Sequence, residues 1–168
     1  MWLTLIIQWF HVLLGIFWFG SVLYLNVIVI PTILRFPVEQ QRIITVPLGA
    51  FTERILTPVS ILVILLGIVR GTVLGPIHDL SFLLGTSYGI TFLVAMLMTI
   101  ALALWGTFVS GRAAKQLNEM PLTEGMLAQG TTSVAFATQL QRVKLFVLLE
   151  LVGFFLIFTT MILMGFGI

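Results

Sequence analysis

The 168-residue chain contains no cysteine, which excludes disulfides, thiolate metal sites, iron–sulfur clusters and covalent c-type haem attachment. Charge is almost as scarce. Charged residues make up 8% of the chain against 60% hydrophobic residues, and the mean hydropathy is +1.19. A chain of this composition cannot leave its apolar surface in water, so an integral membrane protein is expected. The 8 Lys/Arg and 6 Asp/Glu are spread along the chain without a basic block, which gives a nucleic-acid partner no support. The first thirty residues lack the basic start, short apolar centre and small-residue cleavage site of a signal peptide, and are expected to persist as a transmembrane helix. A Walker loop, a zincin histidine pair, a dinucleotide fingerprint and a serine-nucleophile elbow are all missing. No internal repeat or low-complexity segment stands out.

Long apolar runs are what the chain has instead. About 20 apolar residues cross a bilayer core, and four segments, near 3–33, 56–75, 86–110 and 143–166, meet that length. The expectation is an all-α, polytopic four-helix membrane bundle forming one domain over the whole chain. Thr57-Pro58 reads as the N-cap and first turn of the second helix, and Gly75-Pro76 as its stop. The stretch from Arg35 to Arg54, with Pro37 and Pro47, reads as an interfacial connection. Thr131 to Gln141 could extend the fourth helix into water. Arg35, Arg42 and Arg54 belong to the connection between helices one and two and Arg112, Lys115, Arg142 and Lys144 to that between helices three and four, on the same side, whereas the opposite side carries no Lys/Arg in its tails or in its loop from Pro76 to Gly85. By the positive-inside rule both termini face outward from the cell membrane.

The two histidines narrow the search for function. His11 sits inside the apolar run from Trp2 to Ile30, and an ionisable ring in hydrocarbon is expensive enough to suggest a site or a partner. It lies about 12 Å along the first helix, and Arg70, six residues before Pro76, reaches a similar depth on the second. Gly15 and Trp18 follow His11 by one and two turns, so the first helix offers a ligand-capable ring, a bare backbone and a flat aromatic on one face. Three readings stay open. His11 can be an axial haem ligand with its second nitrogen on a carbonyl and Arg70 near a propionate. It can hold copper together with Met161 and Met164, whose soft thioethers suit Cu(I). It can also be a neutral histidine bonded between helices. Arg70 has a plain alternative too, snorkelling to the interface.

His78, followed by Asp79 in a loop of ordinary length, is either solvated or a second ligand folded over the bundle. Glu150 is expected to pair with a basic residue such as Arg54 or Arg112. Met96 and Met98, two residues apart on one helix, read as packing residues. Gly67-x-x-x-Gly71 has the spacing of a helix-packing seam.

His11, then Trp18, Gly20-Ser21 and Tyr24-Leu25, resembles the first helix of small haem-associated membrane families that include the HemJ-type protoporphyrinogen oxidases and the CopD-type copper-resistance proteins. Thr86-Ser87-Tyr88-Gly89 is similar to their opening of helix three, and the run from Arg142 to Glu150 to their entry into helix four. The chain departs from the HemJ pattern in two places. Asn26-Val27 and Pro31 stand where a Pro-Arg pair and a further histidine are usual, and Phe92 to Met98 lacks an expected lysine. These departures speak against protoporphyrinogen oxidation. The resemblance implies a four-helix bundle holding haem b on His11. Together with the reading of depth and helix face, the expected cofactor residues are His11, Gly15, Trp18, Arg70, His78 and Tyr88, with His11 and His78 as metal ligands. Electron transfer, or haem sensing or storage, follows from the resemblance. A copper transport or resistance protein and a cofactor-free accessory subunit of a larger membrane complex are the alternatives. The lipid bilayer, a redox partner and a second copy of the chain are the expected partners.

Overall fold

The computed structural model describes residues 2–120 and 134–166. Among these residues four long helices account for nearly all of the chain: α1 (Trp2–Ile33), α2 (Val38–Gly71), α4 (Ser87–Glu119) and α5 (Val134–Gly165), with a short α3 (Leu80–Gly85) between α2 and α4. All four long helices are long and apolar enough to cross a membrane. Their paired residues run in opposite senses along each pair. On α1 and α2, His11 meets Val63 while Gln8 meets Arg70. On α2 and α4, Thr45 meets Asn118, and Gly71 lies against Phe92. On α4 and α5, Trp105 meets Phe146 and Ala113 meets Gln139. Each helix is therefore antiparallel to the next. One end of the bundle holds Trp2 and Gly165, and the other holds most of the basic residues.

The first helix keeps its predicted bounds, and the other three are longer than the sequence predicts. At about 1.5 Å per residue, their 32 to 34 residues exceed the roughly 30 Å of a hydrocarbon core. The excess lies at the basic end. α2 starts at Val38, not near 56, because neither Pro47 nor Pro58 breaks it. A proline removes one N–H and crowds one carbonyl, and in a membrane bundle neighbouring groups absorb that loss. The Arg35–Arg54 stretch is thus helical over most of its length, and the turn Leu34–Pro37 alone joins α1 to α2. α2 also stops at Gly71, before Gly75-Pro76. A Cβ at Gly75 would lie 2.4 Å from the Gly71 carbonyl oxygen, so the chain folds back tightly on the last turn of α2 at a residue without one. α4 continues past 110 to Glu119. The predicted extension of the last helix is present from Val134; Thr131 to Ser133 lie outside the described residues.

Two π turns interrupt this regularity, Leu25–Val29 in α1 and Gly106–Ser110 in α4. The first lies just ahead of Pro31, which can donate nothing to the ladder. There Asn26 Nδ2 bonds the Val22 carbonyl at 2.6 Å and Thr32 Oγ1 the Ile28 carbonyl at 2.7 Å.

The core is a thin layer midway along the bundle. Trp18, Val22, Val63, Leu102, Phe154 and Ile157 bury one another there. The Trp18 and Phe154 rings meet edge to face at 4.8 Å, and Phe19 continues the stack onto Phe154 and Phe158. Large apolar side chains such as Trp9, Ile16, Leu97 and Phe155 stay exposed around the perimeter, where a bilayer would cover them.

The two glycine environments make opposite predictions. A Cβ at Gly71 would lie 2.2 Å from the Phe92 ring, whereas one at Gly15 would meet nothing within 4 Å. Gly71→Ala should cost about 1–3 kcal/mol through overpacking, while Gly15→Ala should stabilise by up to about 1 kcal/mol through helix propensity. Unfolding of the two variants in detergent, followed by circular dichroism, checks the contrast.

Candidate functional site

Local structure sets the walls of a cavity between the core layer and the end that holds the termini. Thr86 caps α4 by accepting from Gly89 N at 3.0 Å, which places Tyr88 in the first turn. Asp79 caps α3, accepting from Phe82 N at 2.7 Å and from Ser81 Oγ at 2.6 Å. Those bonds hold the Asp79 carboxyl below its ordinary range. The loop before α4 is thereby pinned at the exposed rim of the bundle.

The cavity has a volume of about 250 Å³ and draws on all four long helices; His11, Arg70, Tyr88, Met96, Met161 and Met164 line it. His11 Nδ1 lies 3.0 Å from the Val63 carbonyl oxygen. A carbonyl only accepts, so Nδ1 carries the proton, and in the neutral ring Nε2 keeps its lone pair. Gly67 makes room for the ring: a Cβ there would lie 3.1 Å from His11 Cε1. Arg70 Nε donates to Gln8 Oε1 at 3.1 Å, and among the described residues no carboxylate comes within 4.0 Å of its guanidinium. The site therefore combines one imidazole nitrogen free to ligate, three thioethers and a cation without a protein counter-ion.

The predicted residues divide. His11, Arg70 and Tyr88 share the cavity, and so do Met161 and Met164. Gly15, Trp18 and His78 do not. Gly15 faces open space. Trp18, seven residues beyond His11 and so about 10 Å further along the axis, has passed the cavity floor and is packed in the core. His78 is exposed and does not line the cavity with His11. Among the described residues no group of three or more His, Asp or Glu could hold a metal. Arg70 bonds Gln8 and lines the cavity, unlike a side chain that simply snorkels.

Two contributors escape the sequence reading. Met96 lines the cavity while Met98 packs on the core; residues two apart on a helix face different ways, and only one of the pair was free to be packing. Gln8 lies one turn before His11, and that spacing was the available signal. The Gly67–Gly71 pair is split between partners, Gly67 against His11 on α1 and Gly71 against Phe92 on α4. Glu150 also departs from expectation: among the described residues no basic group comes within 4.0 Å of its carboxylate. Arg54 and Arg112 are exposed, and Arg112 stands over the Phe108 ring at 5.5 Å.

No family model, no curated protein and no solved structure matches this chain.

The His11 tautomer is directly measurable. Nitrogen NMR of histidine-labelled protein in mildly alkaline buffer should show a protonated Nδ1 and an unprotonated Nε2 for one of the two histidines. Gly67→Ala, which crowds the ring, should perturb that signal while leaving His78 unchanged; a His11 signal with the opposite tautomer would contradict the bond to Val63.

Proposed function

We propose that the cavity between His11 and the α5 methionines binds a b-type haem, which His11 through Nε2 and Met161 or Met164 would hold. One observation carries this reading: His11, held by the Val63 carbonyl through Nδ1, lines the same cavity as Arg70, Met161 and Met164. A carbonyl bonded to the other ring nitrogen fixes an imidazole that ligates a metal, and histidine together with methionine holds haem iron in other proteins. Arg70, lacking a carboxylate partner among the described residues, supplies the charge that a propionate needs. Tyr88 adds a hydroxyl. The donor set fits haem; the cavity, about 250 Å³, lies just below the roughly 300–1,000 Å³ of ligand pockets, so a macrocycle there would expose an edge to lipid. When bound, the group supplies one-electron chemistry, and the protein's part is to ligate, orient and shield it. Electron transfer, or haem sensing or storage, is the activity that follows. In this reading the basic end faces the cytoplasm, the termini face outward from the cell membrane, and a redox partner or second copy approaches from the termini side.

The three thioethers and the small volume favour a second reading, a Cu(I) site on His11 with Met96, Met161 and Met164. The unneutralised Arg70 cation counts against it, since like charges repel strongly in a low-dielectric interior.

An oxidised and dithionite-reduced visible spectrum of the purified protein, with metal analysis, separates the readings. Haem predicts a Soret band with sharp reduced α and β bands. His11→Ala should abolish or greatly weaken binding, Arg70→Ala should lower occupancy more than Arg70→Lys, and loss of the ligating methionine should shift the iron towards high spin. A wild-type spectrum in His11→Ala overturns the assignment. Copper retained without a Soret band selects the second reading, and a colourless, metal-free protein that co-purifies with other subunits selects an accessory role.

A further inference from the structure

The core layer also floors a second cavity, which extends to the basic end and takes no part in the site above. Its volume is about 310 Å³, and all four long helices wall it. Two of its polar residues, Arg42 and Ser110, carry buried atoms that lack the partners burial demands. Among the described residues Arg42 Nε and Nη2 have no hydrogen-bond partner and are shut off from solvent, and so is Ser110 Oγ. Ser110 is only 8% exposed. Glu150, 7% exposed, rests its carboxylate against Gly106, where a Cβ would lie 3.0 Å from Oε1. All three line the cavity.

Buried polar groups in folded proteins are almost always bonded, and the exceptions mark a missing water, ion or ligand. Two unpartnered nitrogens on one guanidinium form the fork that carboxylates and phosphates accept side by side. Both π turns contribute to this cavity, through Leu25 and Asn26 and through Gly106, Thr107 and Ser110. Single π turns recur at functional sites because they open the helix locally. Here the second one brings Gly106 against Glu150.

The cavity is elongated. Twelve residues of α4 separate Asn118, at the basic end, from Gly106, which corresponds to about 18 Å. Between them the walls are mostly apolar, with Ile33, Leu48, Leu56 and Val143 among them. Glu53 lines the basic end but is exposed, so water screens its charge from Arg42.

We infer that this cavity binds an elongated amphipathic anion. A carboxylate or phosphate head is accepted by the Arg42 guanidinium, and an apolar body lies along the aliphatic walls towards the core layer. The same chemistry is offered by a single-chain fatty acid and by an anionic phospholipid of the surrounding bilayer.

The test uses the full chain in detergent and follows its thermal unfolding on titration with oleate, oleyl alcohol, phosphatidylglycerol and inorganic phosphate. Oleate or phosphatidylglycerol should raise Tm, and which of them does so identifies the source. Oleyl alcohol, the same chain without the anion, should act about tenfold more weakly on the wild type, as expected for losing a charge-assisted pair. Arg42→Gln should weaken the oleate or phosphatidylglycerol effect by a similar factor. Ala114→Phe, which fills the cavity and keeps Arg42, should do the same. Equal responses to oleate and oleyl alcohol overturn the role of Arg42 even where a variant fails to fold. A response to inorganic phosphate alone overturns the apolar part, and no response to any of the four, or equal responses in wild type and variants, overturns the site.

Discussion

Lipid tails are as apolar as leucine, so helices in a bilayer gain little by hiding greasy surface from it and depend on close packing between themselves. In this bundle that packing is concentrated in one layer. Trp18 meets Phe154 edge to face at 4.8 Å, and Val22, Val63, Leu102 and Ile157 close around them. All four long helices contribute to the layer, and the two cavities lie on either side of it. Towards the termini lies the cavity of His11; towards the basic end lies the cavity of Arg42 and Glu150. Removing the layer would merge two spaces of quite different chemistry.

The separation explains why each polar residue is where it is. Charge inside a membrane protein is tolerated where it faces a cavity or a partner. Arg70 and Arg42 each line one of the two cavities, while Arg54 and Arg112 lie exposed at the basic end. Glu150 sits just below the core layer, and Gly106 on α4 makes the space for its carboxylate. The π turns fall on the same side and line the larger of the two cavities.

The four spans were legible in the sequence because long apolar runs admit few other outcomes. Their ends were not, since Pro47 and Pro58 signal a break in water but not within packed helices, and the polar stretch from Glu39 to Arg54 carries no apolar run to announce a helix. His11 was legible for the reason that makes it costly: an imidazole amid hydrocarbon. Its companions were read unevenly. Arg70 came from its depth, which survives folding, and Tyr88 from the resemblance carried by the Thr86-Ser87-Tyr88-Gly89 run. Trp18 was grouped with His11 by helical face alone, and a two-turn offset carried it through the floor of the cavity. Met96 was discounted because its neighbour Met98 made a poor pair, although α5 supplied Met161 and Met164, which no local spacing on α4 can reveal.

Val63 belongs to both halves of this arrangement. Its carbonyl holds His11 Nδ1, and its side chain lies in the core layer. Such a residue could transmit an event at His11 to the other cavity, but the energetics argue for an anchor. A ligand shifts a conformational equilibrium only by its differential affinity for the two states. Whatever binds Nε2 keeps the Nδ1 proton, and with it the bond to Val63, so it has no reason to move that carbonyl. The bond itself contributes about 0.5–1.5 kcal/mol, small beside the packing of the layer it touches. The core layer therefore positions the imidazole and is not driven by it, and the two cavities can be loaded independently.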